Sequence, residues 1–288
     1  MIALTGAGHV LGEQADPTPF LKVRKSRKFM GPQDDLLVVA AGRAIAAAGL
    51  AGAPLGERAG LYVAVGHIPF REEDIDPVLA ASTDDRGDFD LRRFGAAGFL
   101  RAHPLLTFRC LPNMPAYHVS ANFDVQGPYL VTYPGAGQLH AAIEEAVAAI
   151  DEGRVDVARV GAVAQQRNFL VEHHFARVDP PVPASALRDV AALIVLEAEG
   201  RARDRGARVL ATLEAATSWY EPFDVLHEGR AARESVGGFA SDADAGELGP
   251  ARLPTALSIA AASGFRGVIR HALAGRDGVS AESRWVWP

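Results

Sequence analysis

The chain has 288 residues and a single cysteine, Cys110. One thiol excludes an intrachain disulfide framework and any cysteine-rich metal site. Long apolar runs are missing too: no segment approaches the ~18 uninterrupted apolar residues of a membrane span. Positive charge is in deficit, with 29 Lys and Arg against 35 Asp and Glu and a formal net charge of −6. A phosphate-binding protein needs a positive field, so the balance argues against nucleic-acid binding. The first residues, MIALTGAGHVLGEQ, lack a basic segment followed by a long apolar one, and no signal peptide is expected. These absences lead to the expectation of a soluble, cytoplasmic protein.

What remains is ordinary globular material, 49% hydrophobic and 22% charged. The length suits one large domain or two modest ones. MIALTG reads as a short strand running into a tight turn at Gly6 and Gly8. A basic stretch follows, with Lys22, Arg24, Lys25, Arg27 and Lys28. After Pro32, Leu36, Val39, Ala40, Ala44 and Ala47 recur at helical spacing, and Gly49 is a plausible stop. AGLYVAVG is a buried-type strand, residues 68–100 read as a loop with short helices, and PNMPAYHVSANFDVQGP reads as a helix before Gly127.

The most informative stretch runs from Gly127 to Val163. YLVTY is a strand by β-propensity. A Gly-rich turn, Tyr133-Pro134-Gly135-Ala136-Gly137-Gln138, leads into an amphipathic helix with Leu139, Ala142, Ile143, Ala146, Ala149 and Ile150 on one face. VDVARVGAVA is a second buried strand. Such a turn often carries a nucleophile whose pKa the helix N-terminus lowers, yet no Cys, Ser or Lys stands in this one.

RVDPPVPAS is a proline-rich joint and the best internal boundary, separating 1–178 from 185–288. Beyond it, ALIVLEAEG and ARVLATLEAATSW read as strands, residues 220–250 show little order, and ALSIAAASGFRGVIRHALAG reads as a strand end, a turn and a last helix. Alternating strands and helices mean an α/β protein with a mostly parallel sheet. Both halves run strand, small-residue turn, helix, which suggests an internal duplication.

In order along the chain, MIALTGAG, RKFMGPQDDLLVVAAGRAIAAAGL, ERAGLYVAVG, PNMPAYHVSANFDVQGP, AIEEAVAAIDEGRVDVARVGAVA and VLEAEGRARDRGARVLATLEA resemble successive pieces of β-ketoacyl synthases of the thiolase fold. The resemblance covers most of 1–215 and, more weakly, 255–278. It implies two related halves, 1–178 and a shortened 185–288, forming an α/β/α/β/α layered core. It also places the family's nucleophilic Cys at Ala136, or at Gly135 if the turn slips by one. Neither residue can carry an acyl group, and the family's His-Gly-Thr motif is missing from the second half. The resemblance therefore implies a subunit that does not condense acyl groups alone, similar to the chain-length factors of type II polyketide and aryl-polyene-type systems.

Such a subunit pairs with an active ketosynthase and needs no cofactor; substrates reach the complex on the phosphopantetheine of an acyl carrier protein. The family pairs across the dimer axis through the strand before the nucleophile, here Pro128, Tyr129, Leu130, Val131, Thr132 and Tyr133; an internal core strand is the plainer reading. Met114 and Tyr117 either line a partner's tunnel or fill the core. Arg24, Lys25, Arg27 and Lys28 either receive the acidic carrier protein or form a solvated loop. His140, on the first turn of the helix, is either a surrogate base or a partly buried polar side chain, the latter favoured because no partner is visible in sequence. Cys110 reads as a small buried hydrophobe. His173 and His174 read as loop or edge-strand residues, with no pattern that completes a metal site.

Overall fold

A computed structural model describes residues 1–68, 70–135, 137–220, 233–241, 246–275 and 278–288. Ala136 lies outside the described residues. Among the described residues nine strands form one sheet in the order β3-β2-β4-β5-β1-β6-β9-β8-β7. They are β1 (Ile2–Leu11), β2 (Ala59–Val65), β3 (Tyr129–Thr132), β4 (Val157–Ala164), β5 (Val190–Ala198), β6 (Ala211–Tyr220), β7 (Arg233–Gly237), β8 (Gly267–Ala274) and β9 (Val279–Trp287). The longer helices are α1 (Pro32–Ala47), α2 (Glu72–Ser82), α3 (Met114–Phe123), α4 (Gln138–Asp151) and α5 (Arg252–Ser263).

The first half is built as its hydrophobic pattern demands. β2, β4 and most of β5 are buried along their whole length, as strands covered on both faces must be. One face packs on α1 and α3, through Leu37, Val38, Ala116 and Val119 against Leu61, Val63 and Val195. The other packs on α4 and α5, and all six residues of the α4 stripe are buried there.

Four expectations are corrected. β1 does not turn at Gly6 and Gly8 but runs through both, with a bulge between Leu4 and Gly6. A Cβ on Gly6 would lie 2.4 Å from the Ala44 carbonyl oxygen, and one on Gly8 2.5 Å from the Ala44 nitrogen. The glycines are there to let α1 sit close on the strand. The sheet is not mostly parallel: only β3–β2 and β2–β4 are parallel, and every later pair is antiparallel. The stretch read as a strand end, a turn and a last helix is instead α5 followed by β8, and β7 falls in the stretch 220–250 that reads as having little order.

The second half curls over the first. At β6 the ladder shifts register between Leu213 and Ala215, leaving Glu214 as a bulge that bends the strand. Of β6 only Ala211–Leu213 pair with β1, and among the described residues no strand lies along the remainder of that edge. Glu144 on α4 partly replaces it, accepting hydrogen bonds from Ser218 N (2.6 Å) and Oγ (2.8 Å). Ile269 of β8 and Trp285 and Trp287 of β9 join the cluster around α4 and α5, which are thus sandwiched between the two parts of the sheet. In β8, buried Ile269, His271 and Leu273 alternate with exposed Arg270, Ala272 and Ala274. One face of this antiparallel region is therefore solvated. The thiolase-like layering is present, and the second half is shortened in its outer layer: among the described residues no helix covers that face.

Candidate functional site

The turn after β3 is held by glycine. Gly135 has φ 127°, a region closed to side chains. At Gly137 a Cβ would stand 2.7 Å from Val279 Cβ, so β9 presses directly on the start of α4. Of the two candidate nucleophile positions, Gly135 is occupied by backbone geometry that a cysteine would adopt only under strain.

His140 lies on the first turn of α4 and is fully buried. Its Nε2 is 3.3 Å from Nδ1 of His271 on β8, and the two rings are near-parallel, 16° apart with centroids at 5.0 Å. His271 Nε2 is 2.7 Å from Oε1 of Glu234 on β7. The other oxygen of Glu234 is 3.0 Å from Nε of Arg252, whose Nη2 donates to the Gly246 carbonyl. The network assigns the protons. Glu234 accepts from His271 Nε2–H, so His271 Nδ1 is an acceptor and His140 Nε2–H points to it. His140 Nδ1 is a buried acceptor without a partner among the described residues.

Burial, and then the neighbouring His271, push the His140 pKa down to about 3. The imidazole is neutral at neutral pH and closed to solvent. A carboxylate–imidazole–imidazole chain can pass protons, but here its end is sealed inside the seam between the two halves. His271, Glu234 and Arg252 escaped sequence reasoning, because two histidines 131 positions apart carry no spacing signal. Only the β7–β8 pairing brings them together.

The other sequence candidates separate. Among the described residues β3 is the edge of the sheet: Leu61 N donates to the Pro128 carbonyl on the β2 side, and none of the described strands lies on the other. Tyr129 is 74% exposed, while Leu130, Val131 and Thr132 are half-buried. On α3, Met114 is buried and Tyr117 is 57% exposed, so the two do not share a surface. The basic stretch is a short 3-10 helix, Arg24–Phe29. It lies on the α3 side of the sheet, with Lys22 N bonded to Asn122 Oδ1 and Phe29 against Phe108, whereas His140 is on the opposite face. Arg24, Lys25 and Lys28 are exposed, and Arg27 is paired 3.0 Å from Asp35.

Cys110 Sγ donates to the Leu106 carbonyl. Burial first, then Asp74 and Asp34, raise its pKa to about 11, so it stays a protonated thiol. His173 and His174 lie on a helix, Phe169–Phe175, and not on a loop or strand edge. The His174 ring packs against His67, with centroids 4.8 Å apart. Among the described residues no group of three or more His, Cys, Asp or Glu could hold a metal ion, and no helix is long and apolar enough to cross a membrane.

Comparison with curated proteins gives no match. Among solved structures, the chain is similar to one described as AntDE:AntF, a type II polyketide synthase acyl-carrier protein in complex with its ketosynthase bound to the hexaketide. That match has a TM-score of 0.73 and 13% identity, over 100% of this chain and 99% of the other. A β-ketoacyl synthase from Burkholderia phymatum STM815 matches with a TM-score of 0.55 and 19% identity, over 76% of this chain and 64% of the other. The ishigamide ketosynthase/chain length factor matches with a TM-score of 0.52 and 20% identity over the same shares, 76% and 64%. The chain thus spans less than two thirds of the latter two, and at these identities the likeness shows the fold. Residues 5–178 match the family described as Beta-ketoacyl synthase, N-terminal domain. That is more than half of the chain, which therefore belongs to the β-ketoacyl synthase family.

Proposed function

We propose that the chain is a catalytically silent, chain-length-factor-type subunit. It would pair with an active β-ketoacyl-acyl-carrier-protein synthase and shape that enzyme's acyl tunnel in polyketide or fatty-acid-type biosynthesis. The observation that carries the reading is the turn after β3. Pro134, Gly135, Ala136 and Gly137 stand there, and none has a side chain able to hold an acyl group. The one thiol is protonated and elsewhere, at Cys110.

Three further observations support it. Among the described residues no strand pairs with the outer edge of β3, and an apolar edge of that kind invites a second chain. Two of the structural neighbours are described as a ketosynthase with its acyl-carrier protein and as a ketosynthase/chain length factor, which points to the class of partner. Arg24, Lys25 and Lys28 offer an exposed basic surface to an acidic carrier protein, with Arg27 held back by Asp35. On this reading the chain needs no cofactor, because substrates arrive on the carrier's phosphopantetheine, and Tyr117 lies nearer the shared surface than Met114.

The test is condensation of acyl- and malonyl-carrier substrates by the chain alone, by an active ketosynthase alone and by both. Turnover that needs both supports the reading, and turnover by the chain alone overturns it. The His140–His271–Glu234 chain favours a second reading, an acyltransferase or decarboxylase of the same fold with a non-cysteine mechanism. That reading requires turnover by the purified chain that is lost in His140→Ala.

A further inference from the structure

We propose that the solvated face of the curled strands β6, β9, β8 and β7 is an interaction surface, and that its occupant is the same face of a second copy of this chain. The inference is independent of how β3 is read.

The strand register sets the outward side chains in rows that cross the strands. Arg270 of β8 stands opposite Arg284 of β9. In the next row Glu282 of β9 stands between Ala272 of β8 and Thr217 of β6. Trp219 lies in the last row, and Thr212 and Val286 in the first. Side chains alternate along a strand, so these residues share one side, and buried Ile269, His271, Ala281, Ser283 and Trp285 share the other. The outward side chains of Arg270, Ala272, Glu282 and Thr217 are exposed, and Trp219 is 42% exposed.

The charges on this face are left unbalanced within one chain. Two arginines directly opposite each other on neighbouring strands repel. Arg284 is paired with Glu214 of the β6 bulge, but Arg270 and Glu282 have no ion-pair partner among the described residues. A surface with free positive and free negative rows side by side can be complementary to itself.

Symmetry then selects one arrangement. Stacked sheets keep their strands nearly aligned, and two identical faces meet about a two-fold axis lying between them. With that axis along the strands, every row meets itself and arginine faces arginine. With the axis across the strands, each strand meets its own copy reversed. If the axis passes at the level of Ser283, Arg284 of each copy faces Glu282 of the other, and Arg270 settles over the small Ala272. The same axis brings Trp219 over Thr212, beside Val286. A shift by one residue sets Glu282 on Glu282 or Arg284 on Arg284.

The face is small. Strands ~4.8 Å apart and about seven residues long at ~3.3 Å each cover roughly 450 Å² per copy. That is the range of weak, transient contacts, so the dimer forms only at high concentration. It leaves β3 open, and two copies already paired through β3 would join through this face into an assembly of four chains.

The experiment is sedimentation of the purified chain up to hundreds of micromolar. The expected result is a concentration-dependent dimer that Glu282→Arg and Arg284→Glu each weaken by about tenfold or more, because like charges then face each other twice. Mixed in equal amounts, the two variants should dimerise as the parent does, since each offers the other opposite charges at both contacts. Recovery on mixing also shows that both are folded. A parent chain that stays monomeric, or variants that do not recover on mixing, overturns the inference. A dimer that both variants leave intact and Val131→Pro dissolves overturns it too, and places the contact at β3. Loss of ketosynthase binding in Glu282→Arg, with no dimer of the parent, would make the ketosynthase the occupant instead.

Discussion

His140 and His271, one from each half of the fold, meet with Nε2 and Nδ1 3.3 Å apart in a seam that excludes water. Beside them Glu144 holds Ser218 by two hydrogen bonds. The seam joins α4 to the curled strands in a core that also buries Thr255, Ser258 and Ser283. Its network is incomplete at His140 Nδ1, which has no partner among the described residues, so it adds less stability than a fully satisfied one would.

Acid should loosen it. The His140 pKa, pushed down to about 3 by burial, lies below the unfolded value of 6.5. The unfolded chain therefore binds more protons between those values, and stability falls as pH drops from 6.5 toward 3. His118, lowered to about 4 mainly by burial, acts in the same direction. The expected cost is several kcal/mol by pH 4. The urea midpoint of the chain should fall between pH 7 and pH 4, and less steeply in His140→Gln. Equal slopes in both proteins would contradict this.

Asp35 should act with the opposite sign. Burial raises its pKa to about 6, against 3.8 unfolded, although Arg27 opposes the shift. Its contribution is fully present below pH 3.8 and is lost as pH rises through about 6. Asp35→Asn should therefore gain stability relative to the parent between pH 4 and pH 7, less about 1 kcal/mol for the half-exposed Arg27 pair. A difference between the two proteins that does not change with pH would refute the assignment.

Loss of His271 should cost more than a surface change. His271→Phe leaves Glu234 with Arg252 alone and gives His140 a second unpaired nitrogen, at a cost of about 1–3 kcal/mol. Thermal unfolding measures it. A change below half a kcal/mol would mean that the seam contributes little.

Restoring a thiol at the turn should fail at Gly135. With φ 127° at that position, Gly135→Cys strains the backbone and is expected to destabilise by about 1–3 kcal/mol. Acylation assayed by intact mass should show no adduct at the new thiol. Stable acylation of Gly135→Cys at the parent's stability would show that the turn had kept its catalytic shape.

How much of this could be read from sequence depended on the range of the signal. The α4 stripe is a local 3.6-residue period, and every residue read into it is buried. The strands β2 and β4 are apolar throughout and were equally plain. Strand direction was not: nothing local in Val190–Ala198 says that β5 runs against β4, since that depends on where the connection after residue 164 returns. Gly6 and Gly8 look like a turn because the reason for them, the backbone of α1 at Ala40 and Ala44 about 2.5 Å from any added Cβ, lies more than 30 residues away. For the same reason the missing nucleophile was visible and the partners of His140 were not.

The central claim is a subunit that pairs through β3, and native mass spectrometry after co-expression with the ketosynthase encoded nearest to this gene tests it most directly. Val131→Pro is the control, because it removes an outward N–H from the edge while leaving the bonds to β2. The account expects a one-to-one complex that Val131→Pro abolishes without unfolding the chain. A chain that ignores the ketosynthase, or a complex that Val131→Pro leaves unchanged, would contradict it.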